Sequence, residues 1–309
     1  MAHEHVPVLR DEVLEALRIL PDATYVDCTF GRGGHARSIL ERLSSVGRLV
    51  ALDRDPEAIA AAQALALADP RLLVCHAPFS TLGEQLRALG LEGQIAGILL
   101  DLGVSSPQLD DPARGFSFLR DGPLDARMDP GSGQGVAAWL AQATEAEIAT
   151  CLKDYGEERF ARRIARAICR ERASRPLLTT AALAALVSAA VPTREPGQHP
   201  ATRTFQALRI QVNHELLELQ ASLPQAIAAL RPGGRLAVIS FHSLEDRLVK
   251  RFLRKEASGD DYPPDLPIRA QDLHSRIALV GGPIRPGPAE VAANPRSRSA
   301  CLRVAERLP

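Results

Sequence analysis

The chain has 309 residues, room for one large or two ordinary domains at roughly 100–200 residues each. With 46% hydrophobic and 24% charged residues it falls outside the disordered and fibrous classes. Thirty-seven basic and thirty-seven acidic residues cancel, which excludes a general polycationic coat for nucleic acid; any such contact has to come from a local patch.

No apolar run reaches the ~18 residues that a membrane helix requires. The longest, Ala181–Val191, is Ala-rich and interrupted by Ser188. The opening MAHEHVPVLRDEV is charged from its third residue and has no apolar signal core, so a cytoplasmic protein without a membrane partner is expected. The five cysteines, Cys28, Cys75, Cys151, Cys169 and Cys301, are odd in number and scattered. They form neither a disulfide framework nor a zinc pattern, and are read as small core residues in a reducing compartment, with no metal site. Nothing in the sequence assigns an oligomeric state.

The first hundred residues alternate strand and helix patterns. Thr24–Phe30 reads as a strand, followed by a Gly-rich turn and a helix over His35–Leu43. Arg48–Asp53 is a second strand, and Pro56 opens an Ala-rich helix at its favoured first turn. Leu72–His76 is a third strand. Ile95–Leu102 is a fourth, apolar almost throughout, as a strand buried on both faces must be. Such alternation predicts right-handed βαβ units and a parallel sheet. The pattern then breaks: residues 106–134 read as a long ordered loop, and 136–190 carry helical periodicity. It resumes with a helix over Asn213–Leu230, a turn at Pro232-Gly233-Gly234, a buried strand over Arg235–Phe241 and a last strand over Ser299–Arg307. The expected fold class is α/β, with a discontinuous core over 1–105 and 211–309 and a helical insertion over 106–210.

Gly31-Arg32-Gly33-Gly34-His35 directly follows the first strand and opens a helix, where ligands of open parallel sheets bind. Asp53 ends the second strand; a carboxylate there can accept both ribose hydroxyls of an adenosine. Asp27 and Asp101 point at the same crevice. The turn also fits the dinucleotide fingerprint, so two ligands stand open: a nicotinamide dinucleotide or S-adenosylmethionine. Two extra carboxylates favour the second, whose sulfonium and ammonium are cationic. Phe79, just after the third strand, is read either as lying against an adenine or as a core residue. Ser105, Ser106 and Gln108, beyond the fourth strand, are polar groups for the substrate or the donor's carboxylate, or simply turn residues.

The runs TFGRGGH, LDRDPEAI, ILLDLGVSSPQLDDPARGFSF, GPLDARMDP, YGEERFARRIARAI, HPATRTFQALRI, LRPGGRLAVISFHSLEDRLVK and NPRSRS resemble those of the ribosomal small-subunit methyltransferase H family, also called MraW, from His5 nearly to the C-terminus. The resemblance implies a Rossmann-like, class I S-adenosylmethionine-dependent methyltransferase core with a helical substrate domain. It implies methylation of the exocyclic N4 of a cytidine in the decoding region of 16S ribosomal RNA, with that RNA or the small ribosomal subunit as partner. Carried over by motif, Gly33, Gly34 and His35 line the donor site, Asp53 binds the ribose, Phe79 the adenine side, and Asp101 and Gln108 the rest of the pocket. Amino-group methyltransferases often follow the acid with two prolines and an aromatic; here Leu102 and Gly103 follow Asp101, so no catalytic residue is assigned.

RFARRIARAICRERASR, residues 159–175, holds seven arginines against Glu171. Arg159, Arg162, Arg163, Arg166 and Arg170 recur at spacings of three and four and share a face. It is either a solvated face paired to Glu157 and Glu158 or a phosphate-binding patch, for which Arg162, Arg163 and Arg166 are the candidates. Arg296, Arg298 and Arg303 form a second basic group. In Ser240–Asp246, Ser243 is expected to cap a helix and His242 to orient the cytosine; Asn213 and His214 are weaker candidates of that kind. Direct in-line methyl transfer without a covalent intermediate is expected, since the sequence shows no placed catalytic cysteine and Cys28 lies within the first strand. The competing readings are a nicotinamide-dependent oxidoreductase and a non-catalytic, RNA-binding ribosome-assembly factor.

Overall fold

A computed structural model describes residues 7–193, 197, 199–259 and 275–309; His5, where the resemblance begins, lies outside them. It divides into two compact units, Met1–Gly103 with Leu216–Pro309, and Val104–Glu215. The chain begins with α1 (Arg10–Leu17), β1 (Thr24–Asp27), α2 (Gly34–Leu40), β2 (Arg48–Asp53), α3 (Pro56–Ala68), β3 (Leu72–His76), α4 (Leu82–Ala88) and β4 (Ile95–Asp101). The second unit then supplies α5 (Ser106–Asp110), α6 (Val136–Gln142), α7 (Glu145–Gly156), α8 (Ala161–Ser174), α9 (Thr180–Ala190) and α10 (Thr202–Asn213). The chain returns through α11 (Glu215–Ala229), β5 (Leu230–Ser240), α12 (Ser243–Ser258), β6 (Ile277–Leu279), α13 (Pro288–Ala293) and β7 (Cys301–Arg307).

In the first unit the seven strands lie in the order β3-β2-β1-β4-β5-β7-β6. The first five are mutually parallel, and β7 runs antiparallel to both β5 and β6. The 3-2-1-4-5 half is the Rossmann arrangement, and an antiparallel hairpin takes the place of its parallel sixth strand. β4 shows why the sheet is central. Leu99 packs into the cluster on one face, with Ala51 and Ile239, while Ile98 and Leu100 pack into the other with Val26, Leu52 and Val238. Side chains alternate faces along a strand, so an unbroken apolar run is what two covered faces demand. α3 starts where its sequence dictates: Asp55 accepts the Glu57 amide at 2.9 Å and Pro56 occupies the first turn.

The second unit is a helical bundle around Ile148, Leu152, Ile164, Ile168, Leu183, Val187 and Leu208. Thr144 and Glu147 form the capping box of α7, and α8 turns its alanines and isoleucines inward and its arginines out.

Several expectations need correction. Residues 106–134 are not all loop, because they contain α5 and a 3-10 turn at Pro112–Arg114. Buried Arg114 pins the remainder by donating to the carbonyls of Arg127 and Met128. The helix expected over Asn213–Leu230 is α11, which starts two residues later, because Asn213 ends α10 and His214 takes the left-handed conformation (φ 54°) between them. The ladder of β5 jumps from Leu230 to Arg235, so Arg231–Gly234 bulge out where a turn was expected. The three-residue β6 carries no legible pattern. Among the described residues no helix is long and apolar enough to cross a membrane.

Candidate functional site

The first unit gathers its acidic residues where β1, β2 and β4 end. Asp27 is fully buried and accepts the Thr29 amide at 3.1 Å. Thr29 ties two strands together, since its Oγ1 accepts the Asp101 amide at 2.7 Å. Asp53 holds the Gly-rich turn: Oδ2 accepts the Gly31 amide at 2.8 Å and Oδ1 the Asp55 amide at 2.9 Å. A carboxylate has about four lone-pair sites, so both oxygens keep capacity for ribose hydroxyls.

Gly33 precedes α2 with φ 77°, and a Cβ there would stand 2.6 Å from the Phe30 ring. At Gly34 a Cβ would meet the Pro7 ring at 3.2 Å. The turn therefore keeps its backbone bare for reasons of conformation and space together. Gly33→Ala should cost about 1–3 kcal/mol of stability, read as a lowered unfolding midpoint in denaturant.

His35 is buried, with Nε2 3.6 Å from Asp101 Oδ2. Burial pushes its imidazole down to about 4, so it is neutral at physiological pH. Asp101 keeps 26% of its side-chain surface open, yet its Oδ1 is sealed without a hydrogen-bond partner. Burial, then neighbouring Asp27 and Glu245, push its carboxyl up to about 8. Burial foremost pushes Asp27 up to about 7, and raises Asp53 as well. Crowded carboxyls with an orphaned oxygen are a cluster built for an incoming cation. This is the fit that S-adenosylmethionine requires.

The other candidates fall as follows. Phe79, in the 3-10 turn after β3, is half-buried and packs partly on the core beneath β3 and α4. Gln108 belongs to the second unit, where its Oε1 accepts the Ser105 amide at 2.9 Å in the capping box of α5. His242, not Ser243, caps α12, so the expected cap moves back one residue. Its Nδ1 accepts the Glu245 amide at 3.4 Å, while the Glu245 carboxylate accepts the amides of Phe241 and His242. Asn213 is a clasp: its side chain bonds the Ala126 carbonyl and the Met128 amide, each at 2.7 Å, fixing the loop before α6.

On α8, Arg162, Arg163, Arg166 and Arg170 are exposed. The solvated-face reading paired them to Glu157 and Glu158, of which Glu158 is turned inward. Glu158 is buried and accepts the Phe160 amide, and Arg166 instead approaches Glu145 at 3.5 Å. Arg172 and Arg175 leave the patch for local work, the first on the Leu140 and Ala143 carbonyls that end α6, the second on Glu171. The second basic group also shrinks, because Arg303 forms a two-point ion pair with Asp246 at 2.7 and 3.1 Å.

All five cysteines are free thiols. Burial holds Cys28 well above its ordinary range and pushes Cys151 up to about 12, so neither supplies a ready thiolate. Sequence reading missed Thr29 and Glu245. The first carries a weak signal, an Asp-x-Thr at a strand end; the second carries none.

A family model described as the MraW methylase family matches residues 2–308. The chain belongs to that family. It is similar to the ribosomal RNA small subunit methyltransferase H of Thiobacillus denitrificans, 61% identical over all of this chain and 98% of that one. The proteins of the same name from Aromatoleum aromaticum and Azoarcus sp. are each 60% identical, across 99% and 98% of this chain and 97% of theirs. Among solved structures, an rRNA methylase from Streptococcus thermophilus aligns with a TM-score of 0.41 and 12% identity, over 97% of this chain and 94% of that one. Membership of a methylase family removes the ground for the nicotinamide reading of the MraW Gly-rich turn.

Proposed function

We propose that this methylase modifies small-subunit ribosomal RNA, using S-adenosylmethionine, and that its target is the exocyclic N4 of a cytidine in the decoding region of 16S RNA. The observation that carries the reading is the crowded pair Asp27 and Asp101 beside the bare Gly33–Gly34 turn, with Asp101 Oδ1 unsatisfied. The relatives' names supply the substrate class.

S-adenosylmethionine, when bound, supplies an electrophilic methyl on a cationic sulfur. The chain's residues do the rest. Gly33 and Gly34 admit it, Asp53 holds the ribose, the open face of Phe79 lies along the adenine, and Asp101 balances positive charge. Neutral His35 packs beside Asp101 without cancelling its charge. The cytosine amine is nearly non-basic, so a well-placed hydrogen-bond acceptor matters more than a strong base. His242 is the candidate to orient that base, and the unit Val104–Glu215 is assigned to the RNA. A cytoplasmic setting follows from that substrate.

The arginine face of α8 takes phosphates in this reading. Neutralising Arg162, Arg163 and Arg166 together should weaken RNA binding and flatten its salt dependence by roughly 0.7 per lost phosphate contact, measured by titration at several salt concentrations. An unchanged slope would remove the patch. The function itself is tested by mass mapping of modified nucleosides in ribosomal RNA from cells with and without the protein. N4-methylated cytidine should disappear from the decoding region in the deleted strain; its persistence would overturn the reading.

A further inference from the structure

The helical unit carries an aromatic stack, open to solvent at its outermost ring, that the donor chemistry does not use. Phe118 is half-buried against the helical core. Phe205 of α10 meets it edge-on, with centroids 4.9 Å apart and planes at 64°. On Phe118 also lies His199, centroids 4.5 Å apart and planes at 33°, and His199 is exposed. The ring of His199 is oriented by the chain, because its Nδ1 accepts the Ala201 amide at 3.1 Å. Ser117 Oγ accepts the Leu119 amide at 3.2 Å and shapes the turn beside Phe118, where Leu119 is 87% exposed and Arg120 is exposed too.

This stack stands at the same end of the unit as the start of the arginine helix. Arg203, in the first turn of α10, donates to the Glu157 carbonyl at 3.0 Å. That bond ties the start of α10 to the turn leading into α8, where exposed Arg159 lies 5.5 Å over the Phe160 ring and Arg162 and Arg163 follow. Rings and cations side by side are the composition of surfaces that take unpaired nucleotides: the rings stack a base whatever its identity, and the guanidinium groups hold its phosphates.

We propose that the His199–Phe118 pair is a stacking platform for one unpaired base of the RNA substrate, with the arginines at the start of α8 holding the adjoining phosphates. This deepens the RNA-methylation reading and rests on it. A protein surface docked there would not need the neighbouring cations, and the bond to the Ala201 amide occupies one edge of the His199 ring while leaving its outer face open.

The test uses the full chain and a single-stranded decoding-region RNA with 2-aminopurine placed at successive positions. At one position the parent should quench the fluorescence. His199→Ala should abolish that quenching and weaken binding by roughly tenfold with an unchanged salt slope, whereas His199→Trp should restore both. Removing the base at that position should erase the difference between parent and His199→Ala. Parent-like affinity and quenching in His199→Ala would overturn the platform, as would His199→Trp behaving like the alanine variant while folded. If the parent methylates ribosomal RNA and His199→Ala is unaffected, only the platform fails. If the parent neither binds nor methylates that RNA, platform and reading fall together.

Discussion

Replacing Asp101 with alanine should abolish methyl transfer, by at least ~100-fold in turnover, while leaving the chain folded. The reason lies in what Asp101 does without a ligand. Its Oδ1 has no hydrogen-bond partner, and Asp27 and Glu245 crowd it with like charge. Removing such a group takes nothing from the donor-free fold except its contact with His35, so the unfolding midpoint near neutral pH should hold or rise. Loss of function with kept or gained stability is the signature of a group retained for its ligand. Asp101→Asn sharpens the test. It preserves shape and removes charge, so it should bind adenosylmethionine weakly while remaining as stable as the parent. Full activity in either variant would remove the assigned site.

The second large effect is a dependence of donor binding on pH. Asp27 and Asp101 titrate as a pair, lifted to about 7 and about 8, burial being the main cause for both. Below about pH 6 the free chain holds both protons. A cationic ligand favours the ionised carboxylates, so binding at that pH must release protons. Affinity for adenosylmethionine should therefore rise between about pH 6 and about pH 8, by up to ~10-fold per unit for each proton released, and level off above. Calorimetry in buffers of different ionisation heat reads the protons directly. The same affinity at both ends of that range, with no buffer dependence, would contradict the account.

The signs for stability follow from the same shifts. Both carboxyls have folded values above their ordinary range, so without donor their contribution is full below about pH 4 and lost as pH rises through about 7 and 8. His35 runs the other way. Its folded value falls to about 4, so its contribution is present above about 6.5 and lost as pH drops through about 4. Donor-free stability should thus soften at both ends, and saturating donor should remove the alkaline loss.

The parallel strands were readable because each is written locally. β2 and β3 have the bounds that their apolar runs and flanking turns announced, and β4 is apolar because both of its faces are covered. The acids at strand ends were readable for a related reason, since a strand's last residue has one place to be. What escaped the sequence depends on partners far along the chain. Asn213 looked like a polar residue facing a substrate, but two of its partners are 85 and 87 residues away. Arg303 looked like half of a basic patch until α12 brought Asp246 to it. The break at His214 has no Gly or Pro to mark it, and Pro224 sits inside α11 without ending it, yet the apolar spacing alone placed that helix to within two residues. His242 capping α12 runs against the usual preference for Ser, Thr, Asp and Asn, and Ser243 beside it drew the assignment one residue late.

A positively charged nucleoside donor has its place at the carboxyl rim of the sheet. A crystal structure of the protein grown with adenosylmethionine decides it. The donor should lie at the carboxyl ends of β1, β2 and β4, with its ribose hydroxyls on Asp53 and its positive groups facing Asp101. Density for the donor at any other place, or a donor whose positive groups turn away from Asp101, would contradict it.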